Sequence, residues 1–245
     1  MIPAYNEESR ILPTLERIHR FLETENVDAE ILVVNDGSTD RTAEVVEKQI
    51  ASLRPRAELQ LLHNPGNRGK GYSVRHGMLK AEGERVLFTD SDLSSPIEEY
   101  RKLAAPLERG EASIAIGSRA LKESQVQTHQ SWWREYSGRT FNVLVRAIAR
   151  LPFRDTQCGF KLFTCEAVRA VFPLQTIDGF GFDVEILYIA RKLGYCAAEI
   201  PVVWRDVGAS HVRLSSGARA ILDILRVRFQ DLKGVYNGAR HGKEK

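Results

Sequence analysis

The chain has 245 residues, 43% hydrophobic and 27% charged, with 18 Gly and 9 Pro, a make-up that excludes disordered, collagenous and disulfide-scaffold classes. Its formal net charge of +3 is too small for a nucleic-acid binder, and Cys158, Cys165 and Cys196, an odd number without CxxC spacing, point to reduced thiols. No window approaches the roughly eighteen apolar residues of a membrane span and the opening run MIPAYNEESR lacks signal-peptide regions, so a cytoplasmic protein is expected.

Ile2 to Asn6 reads as the end of a first strand running into a loop. Ile31 to Asn35 is a buried strand, after which Ser38 and Thr39 cap a helix carrying Ala43, Val46 and Ile50. The pattern repeats: strand Leu59 to His63, helix Gly71 to Ala81, strand Arg85 to Thr89, helix Pro96 to Leu107, strand Ser113 to Gly117. Strands separated by helices imply parallel crossovers, hence an α/β sheet with ligands outside the strands' carboxyl ends.

The second half is less regular. A polar loop near Lys122 to Ser131 leads to a helix from about Trp132 to Leu151 and a Gly-bearing stretch from Arg154 to Lys161. A helix from Phe182 to Leu193, a strand from Ala198 to Trp204 and a final amphipathic helix from about Ala218 to Tyr236 follow. The organisation expected is one domain over 1–213 and a basic amphipathic helix and tail over 214–245, where eight Lys/Arg from Val212 onward face three Asp/Glu.

Carboxylates recur where the early strands end, Asp36 after the second and Asp90 and Asp92 after the strand from Arg85. Two carboxylates spaced i, i+2 at a strand exit can offer oxygens to Mg²⁺ or Mn²⁺, although solvated loop aspartates share that spacing. The run Gly66-Asn-Arg-Gly-Lys-Gly71 is not a Walker A loop, because Gly follows Lys70. With Arg68 and Lys70 at a helix start, it can still meet an anion through backbone N–H groups, or be a basic surface turn. Absence of GxGxxG, HExxH and GxSxG removes the common dinucleotide, zinc-protease and serine-hydrolase readings.

Together, Ile2-Pro-Ala-Tyr-Asn-Glu-Glu8, Val34 to Asp40, Asn67 to Gly71, Thr89-Asp-Ser-Asp92 and Gly117-Ser-Arg119 resemble family 2 glycosyltransferases of the GT-A fold. Arg154 to Phe163, Phe182-Asp-Val-Glu185 and Ala198 to Ile200 with Trp204 resemble the dolichyl-phosphate β-glucosyltransferase branch. The resemblance implies a Rossmann-like, mostly parallel sheet flanked by helices, with a C-terminal elaboration on the acceptor side. It also implies inverting transfer of glucose from UDP-glucose to a polyprenyl phosphate, with Mg or Mn.

By the same resemblance, Pro3, Tyr5 and Glu7 hold the uridine, Asp36 contacts uracil, and Arg68 and Lys70 lie near the nucleotide. Asp90 orients the diphosphate and Asp92 ligates the metal. The chain departs from related polyprenyl-phosphate enzymes at Ser94, where a Gln stands in them, and at Gly208-Ala-Ser210-His211, where their run ends in Lys; either His211 or nearby Arg213 supplies the cation on the acceptor or sugar side, or His211 is a surface histidine.

A phosphate monoester with a second pKa near 6 is already an oxyanion at neutral pH, so the site needs cations more than a strong base. Arg119 is expected to bind it, with Arg134 and Arg139 as weaker candidates, because a guanidinium donates two parallel hydrogen bonds. The resemblance puts Asp155 near the reaction centre, while Asp183 and Glu185 either read sugar hydroxyls or stabilise a helix start. On the last helix, Ile221, Leu222, Ile224, Leu225, Phe229, Leu232, Val235 and Tyr236 fall on one broad face flanked by Arg219, Arg226 and Lys233. That pattern suits peripheral contact with the cytoplasmic face of a membrane or packing on the protein's own core.

Overall fold

The apolar run through Ile31 and Val34 makes strand β2 (Ala29–Asn35) the centre of a parallel sheet between β1 (Ile2–Ala4) and β3 (Ala57–His63). Ile2 pairs with Val33 and Ile31 with Leu59. The computed structural model describes residues 1–50, 57–127, 148–205 and 216–237, with backbone alone at 216–221. Helix α1 (Ile11–Glu25) buries Ile11, Leu15, Ile18 and Leu22, one face at helical spacing, and stops at Asn26 in a left-handed conformation (φ 55°). Sequence reading assigned no element there. Helices α2 (Thr42–Gln49) and α3 (Lys70–Lys80) complete the crossovers.

The second sheet has the order β4, β7, β5, β8, formed by β4 (Arg85–Thr89), β5 (Ile114–Ser118), β7 (Phe160–Thr164) and β8 (Ala197–Pro201). Thr89 N donates to Met1 O at 3.1 Å, so β4 lies beside β1 and the two sheets run on from each other. Strand β7, which begins at the end of the Gly-bearing stretch and which sequence patterning did not assign, runs antiparallel to both neighbours. Thr89 faces Phe160 and Ile116 faces Lys161, so the turn before β7 lies at the same sheet edge as the carboxyl ends of β4 and β5. A short parallel pair, β6 (Gln125–Val126) with β9 (Val203–Trp204), closes over that edge.

Helix α4 (Tyr100–Glu108) follows a 3₁₀ turn, Ile97–Glu99. Thr164 caps α5 (Cys165–Val171) by accepting from Ala167 N at 3.2 Å, and α6 (Phe182–Leu193) ends at Gly194 with φ 89°. The largest core cluster holds Phe88, Phe163, Phe172 and Phe182, in edge-to-face pairs at 5.8 Å (Phe88 with Phe182) and 5.3 Å (Phe163 with Phe172).

Helix α7 (Ser216–Leu232) divides the face read as one from the sequence. Ile224, Val227 and, just beyond its end, Tyr236 are buried in that same core, whereas Leu222, Leu225, Phe229 and Leu232 form an exposed apolar stripe. The broad face therefore serves two surfaces, one in the core and one exposed.

Candidate active site

Asp36 leaves the end of β2 and is 4% exposed. One carboxylate oxygen accepts from Asn64 Nδ2 at 2.7 Å and Arg68 N at 2.9 Å, and the other accepts from Gly69 N at 2.8 Å. The anion met by these two loop N–H groups is thus Asp36 itself, and the expectation that they receive a ligand's charge is corrected. Glycine at 69 (φ 102°) and 71 follows from crowding: a β-carbon at either position would collide with backbone oxygens of residues 177–179. Gln175 and Tyr72 stitch the two loops together, Nε2 of Gln175 reaching Gly71 O at 2.8 Å and Tyr72 N reaching Asp178 O at 3.2 Å. Arg68 is exposed, its guanidinium 5.2 Å from the Tyr72 ring centre.

Lys70 extends from the start of α3 to Asp90 at the exit of β4, Nζ to Oδ1 2.7 Å. Burial works against its charge, but Asp90 and then Asp183 outweigh it and hold the amine above its ordinary value. The other side of the Asp90 carboxylate lies over Gly159, where a β-carbon would fall inside it. Two residues on, Asp92 Oδ1 accepts from Ser94 N at 2.9 Å, and Leu93 between them is left-handed (φ 46°) with its side chain buried. A left-handed leucine is a strained backbone position next to the aspartate pair.

Beneath Asp90 lies a fully buried ion pair. Lys161 Nζ contacts Asp183 Oδ1 and donates to Cys158 O at 2.6 Å. Burial raises the Asp183 carboxyl, with Lys161 and Lys70 pulling the other way. Both lysines stand against the Phe88 ring, Lys70 at 5.5 Å and Lys161 at 5.7 Å. Asp183 is 3% exposed and committed to this pair. The signal for Lys161 was available: a lone cation in the run Phe160-Lys-Leu-Phe163 must find a buried partner.

Arg119, one residue past β5, is clasped by Asp155. Its backbone N and Nε donate to Oδ2 at 3.0 and 2.7 Å, and Nη2 donates to Oδ1 at 2.9 Å. Burial would raise the Asp155 carboxyl, but Arg119 holds it below the usual range. Glu199 on β8 fixes the backbone around it, accepting from Asp155 N at 2.8 Å and Arg154 N at 2.9 Å.

The remaining expected residues take different places. Pro3 is half-buried and Tyr5 exposed, while Glu7 accepts from Arg10 through both oxygens at 2.5 and 2.8 Å. Glu185 is fully enclosed, which corrects its reading as a sugar contact: its carboxylate accepts from Thr176 N, Ile177 N and, at 2.7 Å, Tyr236 Oη. It ties the segment after α7 to the loop beside Gly71. Arg134, Arg139, Ser210 and His211 lie outside the described residues.

Among the described residues no three His, Cys, Asp or Glu side chains form a metal cluster. Asp90 and Asp92 are two hard oxygen donors on a half-buried turn. That set fits Mg²⁺ or Mn²⁺, which take one or two protein carboxylates and complete their shell with phosphate oxygens and water.

Residues 1–172 match the family model described as glycosyl transferase family 2. The chain belongs to that family. A dolichyl-phosphate beta-glucosyltransferase of Trichomonas vaginalis is 36% identical to this family 2 chain over 245 residues, covering 96% of it and 72% of the relative. The Homo sapiens protein of the same name is 32% identical over 247 residues, covering 96% and 76%. Among solved structures, mannosyl-3-phosphoglycerate synthase from Rubrobacter xylanophilus superposes with a TM-score of 0.68 at 16% identity, covering 99% of this chain and 76% of that one. Glucosyl-3-phosphoglycerate synthase from Mycobacterium tuberculosis, in complex with Mn²⁺, UDP-glucose and phosphoglyceric acid, gives 0.66 at 20%, covering 92% and 77%. These two share the fold, an α/β architecture of the GT-A kind.

Proposed function

We propose that this family 2 chain transfers glucose from UDP-glucose to a polyprenyl phosphate of the dolichyl type, giving a β-linked lipid phosphosugar. The observation that carries the reading is the state of the buried carboxylates. Asp155 and Asp183, which could have served as general bases, are each buried and ion-paired, to Arg119 and Lys161. A hydroxyl acceptor needs a base to take its proton; a phosphate monoester does not. The names of the relatives at 32–36% identity support glucose as the sugar transferred and dolichyl phosphate as the acceptor.

An acceptor phosphate oxygen attacks C1 of glucose, the bond from C1 to the β-phosphate oxygen of UDP breaks, and in-line displacement turns an α-linked donor into a β-linked product. Tyr5 and Pro3 line the uridine side, with Asp36 holding the 66–71 loop that frames it. Asp90 and Asp92 would hold Mg²⁺ or Mn²⁺, whose chemistry is to offset charge on the departing diphosphate. Lys70 adds a fixed cation beside Asp90, and Arg119 receives the acceptor phosphate.

We further propose peripheral attachment at the cytoplasmic face of a membrane. No helix of the described residues is long and apolar enough to cross one. The exposed stripe Leu222, Leu225, Phe229 and Leu232, with exposed Arg226 and Lys233 beside it, suits the interface of an anionic leaflet, where the acceptor's phosphate lies. Incubation with radiolabelled UDP-glucose, Mg²⁺ or Mn²⁺ and a short polyprenyl phosphate tests the reaction: label moves to the organic phase. UDP binding with no transfer would instead make the chain a nucleotide-sugar-binding subunit.

A further inference from the structure

Trp204 is a large aromatic on a two-residue strand, and no role in the reaction above uses it. The Arg119 guanidinium lies over its ring, the carbon centre 5.5 Å from the ring centroid. Asp155 holds Nε and Nη2 from the side, so Arg119 is gripped along one edge by a carboxylate and across one face by an indole. Nη1 is the guanidinium nitrogen that makes no hydrogen bond to Asp155. A bidentate ion pair fixes a guanidinium within its plane but leaves it free to tilt about the carboxylate; a ring against its face removes the tilt.

The strand that carries Trp204 is itself anchored at several points. Val203 N donates to buried Glu99 at 3.2 Å, Trp204 O accepts from Gln127 N at 2.9 Å, and Arg205 N donates to Ser94 O at 2.8 Å. Ser94 is the residue whose N–H caps Asp92. Residues 204 and 205 therefore touch the acceptor arginine on one side and the aspartate turn on the other.

We propose that Trp204 is a positioning residue for Arg119: stacking under the guanidinium, it aims Nη1 at the phosphate monoester of the acceptor and keeps that cation in register with the turn of Asp90 and Asp92. The acceptor part of this inference rests on the reading given under the proposed function; the hold of Trp204 on Arg119 does not.

Two measurements separate the parts. In the full chain, Trp204→Ala should raise the KM for a short polyprenyl phosphate about tenfold while UDP affinity stays within twofold of wild type, and Trp204→Phe, which keeps a ring, should recover most of the loss. The side-chain Nε–H resonance of Arg119, assigned by its disappearance in Arg119→Lys, should be sharp and ring-shifted in wild type and Trp204→Phe, and should move and broaden in Trp204→Ala. Unchanged KM and an unchanged Arg119 resonance in Trp204→Ala would overturn the proposal, as would a parallel loss of UDP affinity and melting temperature, which would make Trp204 a packing residue. If wild type transfers nothing to polyprenyl phosphate, the functional reading falls, and the resonance still decides whether Trp204 positions Arg119.

Discussion

The carboxylate of Asp90 rests directly on the α-carbon of Gly159, and Asp90 N donates to Gly159 O at 3.1 Å. Only a residue without a side chain allows this approach, so the glycine in the turn before β7 sets where the first aspartate of the pair can stand. Gly159→Ala should lower kcat about 100-fold through misplacement of Asp90, with a far smaller change in thermal stability. Steady-state kinetics beside thermal unfolding check this; near-normal kcat would show that Asp90 can shift without consequence.

Lys161 and Asp183 make the opposite kind of prediction. Breaking a fully buried ion pair by removing one partner costs about 3 to 5 kcal/mol, because a charge is left without compensation. Lys161→Met should therefore destabilise the chain by that amount in denaturant titration. Lys161→Met with Asp183→Leu should recover much of it, and failure of the double variant to do so would mean that the pair's value lies in packing.

Asp36→Asn exchanges an acceptor of three protein hydrogen bonds for a group that must present an amine to one of the loop N–H donors. Leaving such a donor unsatisfied costs about 1 to 3 kcal/mol. Loss of stability and of UDP affinity should appear together, by thermal unfolding and calorimetry, because one carboxylate holds the whole 66–71 loop. Loss of UDP affinity at full stability would return Asp36 to direct contact with the base.

The Asp155 carboxyl is held below its ordinary value of 3.8 by Arg119, against the effect of burial. A group depressed in the folded state contributes its full stabilisation above the unfolded value and loses it as pH falls toward the folded one. Between about pH 5 and pH 3, wild type should lose more stability than Asp155→Asn. Parallel acid curves for the two would remove the pair from the account of acid unfolding.

The site was only partly legible in the sequence. Asp90, Asp92, Arg119 and Asp155 announce themselves by spacing at strand exits and by a recognisable run, and the structure gathers them at one sheet edge. Lys161 and Gly159 matter through an antiparallel strand, β7, that no local pattern announced, since a five-residue run carries no direction, and Trp204 matters through a contact with Arg119 that is distant in sequence. The glycines at 69 and 71 read as a phosphate loop, yet their smallness serves the close approach of residues 177–179. On the last helix the sequence left membrane contact and core packing both open, because periodicity reports which side chains are apolar, and only packing reveals that Ile224 and Val227 face the core while Leu225 and Phe229 do not.

That division of α7 predicts membrane behaviour. Phe229→Glu with Leu232→Glu should leave folding intact, because both side chains lie outside the core, and should abolish flotation with anionic vesicles. Undiminished flotation would assign membrane contact elsewhere, such as Trp132 and Trp133, which lie outside the described residues.

Under the proposed function, the acceptor arrives already ionised. The direct measurement offers UDP-glucose, with Mg²⁺ or Mn²⁺, to a polyprenyl phosphate and to the free polyprenol of equal length, and reads the product's anomeric coupling by NMR. Glucosylation of the phosphate alone, with a β-linked product, is the expected outcome. Comparable glucosylation of the free alcohol, or an α-linked product, would contradict the proposed function.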